Sequence, residues 1–157
     1  MTMPSMVRRL RKSAHSLAVY LCITIVSLSS YVGCVYAQHT DVVVNDSVYI
    51  ASLSQAELRK IFTGHRQYWD NGKKINVFVL EDDAELHTAF CREQLQMFPY
   101  QLSRLWTRIT YSGQGVTPTR VASQEMLIDA LENTDGAIGY IQKGMIGKFK
   151  RIEVKEQ

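Results

Sequence analysis

Apolar positions recur along this chain with two periods, and the places where the period changes mark its elements. Val42-Val43-Val44 is an unbroken apolar run, which suits a strand covered on both faces. Asn45-Asp46-Ser47 turns the chain. The spacing then becomes helical: Leu58, Ile61 and Phe62 form a stripe, Ser54 and Glu57 have capping-box spacing, Leu53 and Leu58 hold the staple positions, and Gly64 ends the helix. A polar loop from His65 to Gly72 contains Trp69 and closes on the turn signal Asn71-Gly72. Ile75 to Leu80 is apolar on both faces and reads as a central strand.

Leu86, Phe90 and Met97 mark the buried side of the next helix, at whose start Asp82 and Glu85 are spaced as a second capping box. Pro99 suits a first helical turn, and Leu102, Leu105, Trp106 and Ile109 give the clearest helical stripe in the chain, with Arg104 and Arg108 on its other side. Ser112 to Arg120 reads as a glycine and hydroxyl loop. A helix over about Gln124 to Glu132 buries Met126, Leu127, Ala130 and Leu131, and Asn133 to Gly136 forms a turn. Gly136 to Ile141 is a compact strand, and Lys150 to Val154 alternates like an edge strand guarded by charges. Strands interleaved with helices predict an α/β fold, and no internal repeat interrupts them.

The amino-terminal segment follows neither period. Arg8, Arg9, Arg11 and Lys12 precede an apolar run from Ser16 to Tyr36, and Val35-Tyr36-Ala37 fits a signal-peptidase site, so residues 1–37 are expected to be a signal peptide. Residues 38–41 then form a linker, and 42–157 the domain. Two anchored alternatives exist: a lipobox-like Tyr31-Val32-Gly33-Cys34, and retention of the run as a membrane anchor. The leader changes the electrostatics. The chain has 18 Lys and Arg against 15 Asp and Glu; four of those bases and none of the acids lie in the leader, leaving 14 against 15. The basicity therefore belongs to targeting, and no basic patch remains to bind nucleic acid. Removing Cys22 and Cys34 leaves Cys91 alone, so stability must come from the core.

Candidate chemistry is sparse. Glu81, Asp82, Asp83 and Glu85 crowd the end of the Ile75 strand, and carboxylates in a first helical turn favour the helix dipole. His87 and Cys91 stand four apart on one helix, but two ligands are too few for zinc and no nucleophile, base and orienter set is complete. Cys91 reads as a half-buried small residue. Gly113-Gln114-Gly115 lacks the third glycine of a dinucleotide fingerprint, and no phosphate loop or nucleophile elbow exists. The donors gather elsewhere: Ser112, Thr117, Thr119, Arg120 and Ser123, with glycine amides and a following helix N-terminus, outline an oxyanion cradle. No catalytic residue, metal site or cofactor is expected.

Leu53-Ser54-x-x-Glu57-Leu58-x-x-Ile61-Phe62-x-Gly64, then Trp69, the strand Ile75 to Leu80, Phe90 to Arg92, Ser112-Gly113-x-Gly115 with Pro118, Glu125-Met126-Leu127, and Gly136-Ala137-Ile138-Gly139-Tyr140-Ile141 together resemble the phosphate-binding proteins of ABC transporters, most closely their small single-unit members. The resemblance covers Val42 to Ile141. It implies a type II periplasmic-binding-protein-like unit, a mixed sheet flanked by helices, reduced relative to the full two-lobed fold. It also implies a periplasmic, non-catalytic protein that binds a small oxyanion and meets an ABC permease or another envelope partner, touching the membrane only through an uncleaved leader or a lipid. Where the family has an Arg-x-x-x-Ser-Gly-Thr phosphate clamp, this chain has Leu80 to Thr88 with its carboxylates, so the clamp residues do not carry over. The expected ligand residues are Ser112, Gly113, Gly115, Thr117 and Arg120, supported by Arg108. The alternatives are an envelope interaction module that kept the fold without a ligand pocket, and a metal or enzyme site on Glu81, Asp82, His87 and Cys91.

Overall fold

The computed structural model describes residues 39–113, 115–145 and 147–155; the expected leader lies outside the described residues. The strands are β1 (Thr40–Asn45), β2 (Ser52–Ser54), β3 (Asn76–Leu80), β4 (Thr119–Val121), β5 (Ala137–Gln142) and β6 (Phe149–Lys155). The helices are α1 (Gln55–Phe62), α2 (Glu85–Glu93), α3 (Pro99–Ser112) and α4 (Gln124–Asn133). The strands form one mixed sheet in the order β2-β6-β1-β5-β3-β4. β1 runs antiparallel to both β5 and β6, whereas β3 runs parallel to β5 and β4. Among the described residues no helix is long and apolar enough to cross a membrane.

The unbroken apolar runs are explained by helices on both faces of the sheet. Successive β5 side chains point to opposite faces. On one face a Cβ at Gly139 would lie 3.2 Å from Leu131 of α4; on the other, the Tyr140 ring stacks on Phe90 of α2 at 4.0 Å. Val42, Val43, Val44, Ile138, Tyr140 and Ile141 are accordingly all buried.

The capping box at the start of α1 forms as its spacing predicts: the Ser54 hydroxyl accepts from the Glu57 N–H at 3.3 Å, and the Glu57 carboxylate accepts from the Ser54 N–H at 2.9 Å. The hydrogen bonds that the Glu57 carboxylate accepts from the Ser54 N–H and hydroxyl hold it below its ordinary value, aided by Arg66. Ser54→Ala is expected to cost about 1 kcal/mol, seen as a lower urea midpoint at unchanged slope.

Several expectations need correction. Strand β1 begins at Thr40, inside the expected linker. Helix α2 starts after Ala84, which makes no side-chain cap, so Asp82 and Glu85 form no capping box; Asp82 accepts from Ser103 Oγ at 2.6 Å instead. Helix α3 runs through Ser112, so the expected loop is shorter by that residue at one end and by β4 at the other. Met126 is 53% exposed, because the buried stripe of α4 runs through Leu127 and Leu131 and leaves Met126 to one side. Strand β6 is interior: its Phe149 to Ile152 half pairs with β1 and its Glu153 to Lys155 half with β2. Each half therefore keeps one unpaired side, which is why its charges alternate as on an edge.

Candidate functional site

Among the described residues, two regions hold the arginines expected at the site. The first is an open cavity of about 460 Å³ between the end of α1 and the outer turns of α3. Gly64, at φ 77°, stops α1 and turns His65 and Gln67 toward α3. From α3, Leu105 and Ile109 supply an apolar wall, and Arg108 and Ser112 the polar rim. A Cβ on Gly64 or on Gly115 would lie 3.0 Å from the Ile109 side chain, so both glycines let this wall seat closely. No carboxylate lines the cavity, and Arg108 makes no hydrogen bond or ion pair among the described residues.

The expected ligand residues therefore divide. Arg108 and Ser112 meet in this cavity, and Gly115 packs behind it against Ile109 and Gln67. Gly113 serves as the left-handed C-cap of α3 at φ 64°, its N–H already donated to the Ile109 carbonyl at 3.0 Å. Thr117 lines a separate recess of about 40 Å³ with Lys74 and Asn76. Arg120 lies elsewhere, and the six do not form one cradle. Gln114 is outside the described residues. Thr63, His65 and Gln67 complete the cavity without being expected there, since nothing in their spacing links them to a helix some forty residues later.

The second region lies at the carboxyl end of β3. Arg120 reaches across from β4 and donates to both oxygens of Asp82, at 3.2 and 3.3 Å, while its guanidinium sits 5.2 Å from the Trp106 ring centroid. The position that the resemblance assigns to an anion clamp is thus occupied by an internal ion pair. Both partners are about two-fifths exposed, so the pair contributes little to stability.

Beneath it lies a buried chain of polar groups. Tyr140 Oη accepts the Leu80 N–H at 2.9 Å and lies 2.6 Å from His87 Nδ1. The phenol proton has no acceptor but that nitrogen, so neutral His87 carries its own proton on Nε2. That N–H faces Cys91 Sγ at 3.5 Å, with Asp82 Oδ1 at 4.0 Å. Cys91 is fully buried rather than half-buried, and burial pushes its thiol up to about 12, which removes it as a nucleophile. Among the described residues no group of three His, Cys, Asp or Glu is arranged for a metal.

Burial holds His87 below its ordinary value of 6.5, opposed by Asp82 and assisted by Arg120. A histidine with a depressed folded pKa gives stability that is complete above its unfolded value and is lost as pH falls through the folded one. Unfolding free energy is therefore expected to drop between roughly pH 7 and pH 5. His87→Gln should flatten that slope in denaturant titrations across the range.

No family model matches the sequence, and no curated protein does. Solved structures show the fold. The chain superposes with a TM-score of 0.53 on an ABC-type phosphate transport receptor from Vibrio cholerae, at 21% identity over 73% of this chain and 45% of that one. A phosphate ABC transporter substrate-binding protein with bound phosphate from Clostridium perfringens gives 0.57 at 17% identity over 74% of this chain and 44% of that one. PstS from Borrelia burgdorferi gives 0.55 at 19% identity over 74% and 47%. The chain thus has a reduced version of this fold and spans less than half the length of each of these structures.

Proposed function

We propose, from that shared fold, that the protein is an exported, non-catalytic solute-binding module that holds a small ligand by an oxyanion group. Arg108 is the anchoring cation, Ser112 and Gln67 lie beside it, and Gly115 shapes the wall. The observation that carries this reading is a guanidinium with neither a partner nor a neighbouring carboxylate among the described residues, in a cavity of about 460 Å³, within the size range of small-molecule sites. Arg120, paired with Asp82, and Thr117, which lines the neighbouring recess, have no part in the ligand site proposed here.

Titration of the purified protein with phosphate, sulfate, small carboxylates and amino acids, followed by thermal unfolding, tests it. A true ligand at about a hundred times its dissociation constant should raise the midpoint by several degrees. Arg108→Gln should lose that rise while its own midpoint without ligand stays near wild type, because the residue is exposed and has no partner among the described residues. No rise with any compound would refute the reading.

One observation favours a second reading. The internal Arg120–Asp82 pair closes the region where related folds are expected to take an anion, which suits an envelope interaction module without a ligand. Capture of a membrane or envelope partner by a protein that shows no ligand-induced rise would establish it.

A further inference from the structure

The protons of the cavity's polar groups are already assigned by the hydrogen bonds around them, and this narrows what the cavity can take. Thr63 Oγ1 lies 2.6 Å from the Arg59 carbonyl oxygen, which only accepts, so the hydroxyl proton is committed there. His65 Nδ1, 2.9 Å from the same Thr63 oxygen, must then be the donor of that contact. Neutral His65 is left with a lone pair on Nε2. Ser112 Oγ donates to the Ile109 carbonyl at 3.2 Å. Two hydroxyls and an imidazole therefore offer lone pairs rather than protons. The donors that remain are the Arg108 fork and the Gln67 amide, one of whose protons is directed at the Gly64 carbonyl at 3.5 Å.

A tetrahedral dianion needs donors on several sides, and one cation ringed by acceptors serves it poorly. Three other chemical features fit. A planar carboxylate matches the guanidinium fork. An ammonium, with three donors and no acceptor, matches Thr63, Ser112 and His65 Nε2. An apolar side chain matches the wall of Leu105 and Ile109. We propose that the cavity between α1 and α3 binds a zwitterionic α-amino acid with an apolar side chain, its carboxylate on Arg108 and its ammonium among the Thr63, His65 and Ser112 acceptors. This rests on the reading of Arg108 as an oxyanion anchor and adds the class of ligand.

Isothermal titration calorimetry of the purified protein tests it with four probes: L-leucine, isocaproate (leucine without its ammonium), isoamylamine (leucine without its carboxylate) and inorganic phosphate. Leucine should bind, each truncated analogue should bind about tenfold or more weakly, and phosphate should not compete. Arg108→Gln should abolish leucine binding. If isocaproate binds as well as leucine, the acceptor ring is not read and the inference fails, while the oxyanion anchor stands. If phosphate binds in an Arg108-dependent manner and leucine does not, the inference likewise fails alone. If no probe binds and the wider titration above also shows nothing, both fail.

Discussion

Gly136→Ala is expected to lower stability by about 2–5 kcal/mol, a large part of the stability of a marginally stable domain. Two costs combine. The residue sits at φ 72°, where a Cβ strains the backbone by about 1–2 kcal/mol. The added methyl would also overlap the Lys74 carbonyl oxygen, and overpacking of this kind costs about 1–3 kcal/mol or more. The surroundings cannot yield easily. The Gly136 carbonyl accepts from Asn76 N–H at 3.2 Å and Trp69 Nε1 at 3.0 Å, and its N–H donates to Ser47 Oγ at 2.9 Å. Gly72→Ala is the control: it has φ 78° but nothing within 4 Å of its Cβ, so it should lose only the conformational part. Equal urea midpoints for the two variants would show that the Lys74 approach does not matter.

Tyr140→Phe should cost about 2–4 kcal/mol, although it removes a single oxygen. The ring keeps its stacking on Phe90 at 4.0 Å, so little apolar packing is lost. What is lost is the shared partner of the Leu80 N–H and of His87 Nδ1, both buried at the end of β3. A buried donor or acceptor left without its partner bears its full desolvation penalty, about 1–3 kcal/mol for each group, here the Leu80 N–H as donor and His87 Nδ1 as acceptor. Burial also pushes the Tyr140 hydroxyl pKa up, so it stays a donor at every pH where the protein folds. Denaturant unfolding at neutral pH gives the value, and a loss below about 1 kcal/mol would mean that water replaces the hydroxyl and that the chain of polar groups is not closed.

These two residues lie in the stretch where the sequence was most legible. The Gly136 to Ile141 strand, the capped α1 helix, the Val42 run and the Leu102 and Trp106 stripe are local patterns, and each formed where its period placed it. Met126 and Asp82 failed for a local reason of another kind. Helix α2 begins after Ala84, two residues beyond the expected Asp82 cap, whereas α4 begins at Gln124 as expected and buries a stripe through Leu127 and Leu131 that is narrower than its apolar set, leaving Met126 outside it.

The candidate site was legible only in part. Arg108 and Ser112, four apart on one helix, were within reach of a sequence argument, and the cavity holds them together. Arg120 was a sound donor by type, but its charge is taken up by Asp82, 38 positions away in the chain. His65 and Gln67 looked like ordinary loop residues until Gly64 turned them onto α3.

By itself the sequence determined the alternation of strands and helices, the capping of α1 and the positions of the tight turns, because periodicity, caps and left-handed glycines act within a few residues of one another. It also carried the resemblance that the shared fold supports. Only the tertiary structure decided which polar groups keep a free proton, a lone pair or an unpaired charge. That outcome depends on what each group meets across the fold, as when Arg120 meets Asp82 while Arg108 meets no partner among the described residues, and no period in the chain encodes such an encounter.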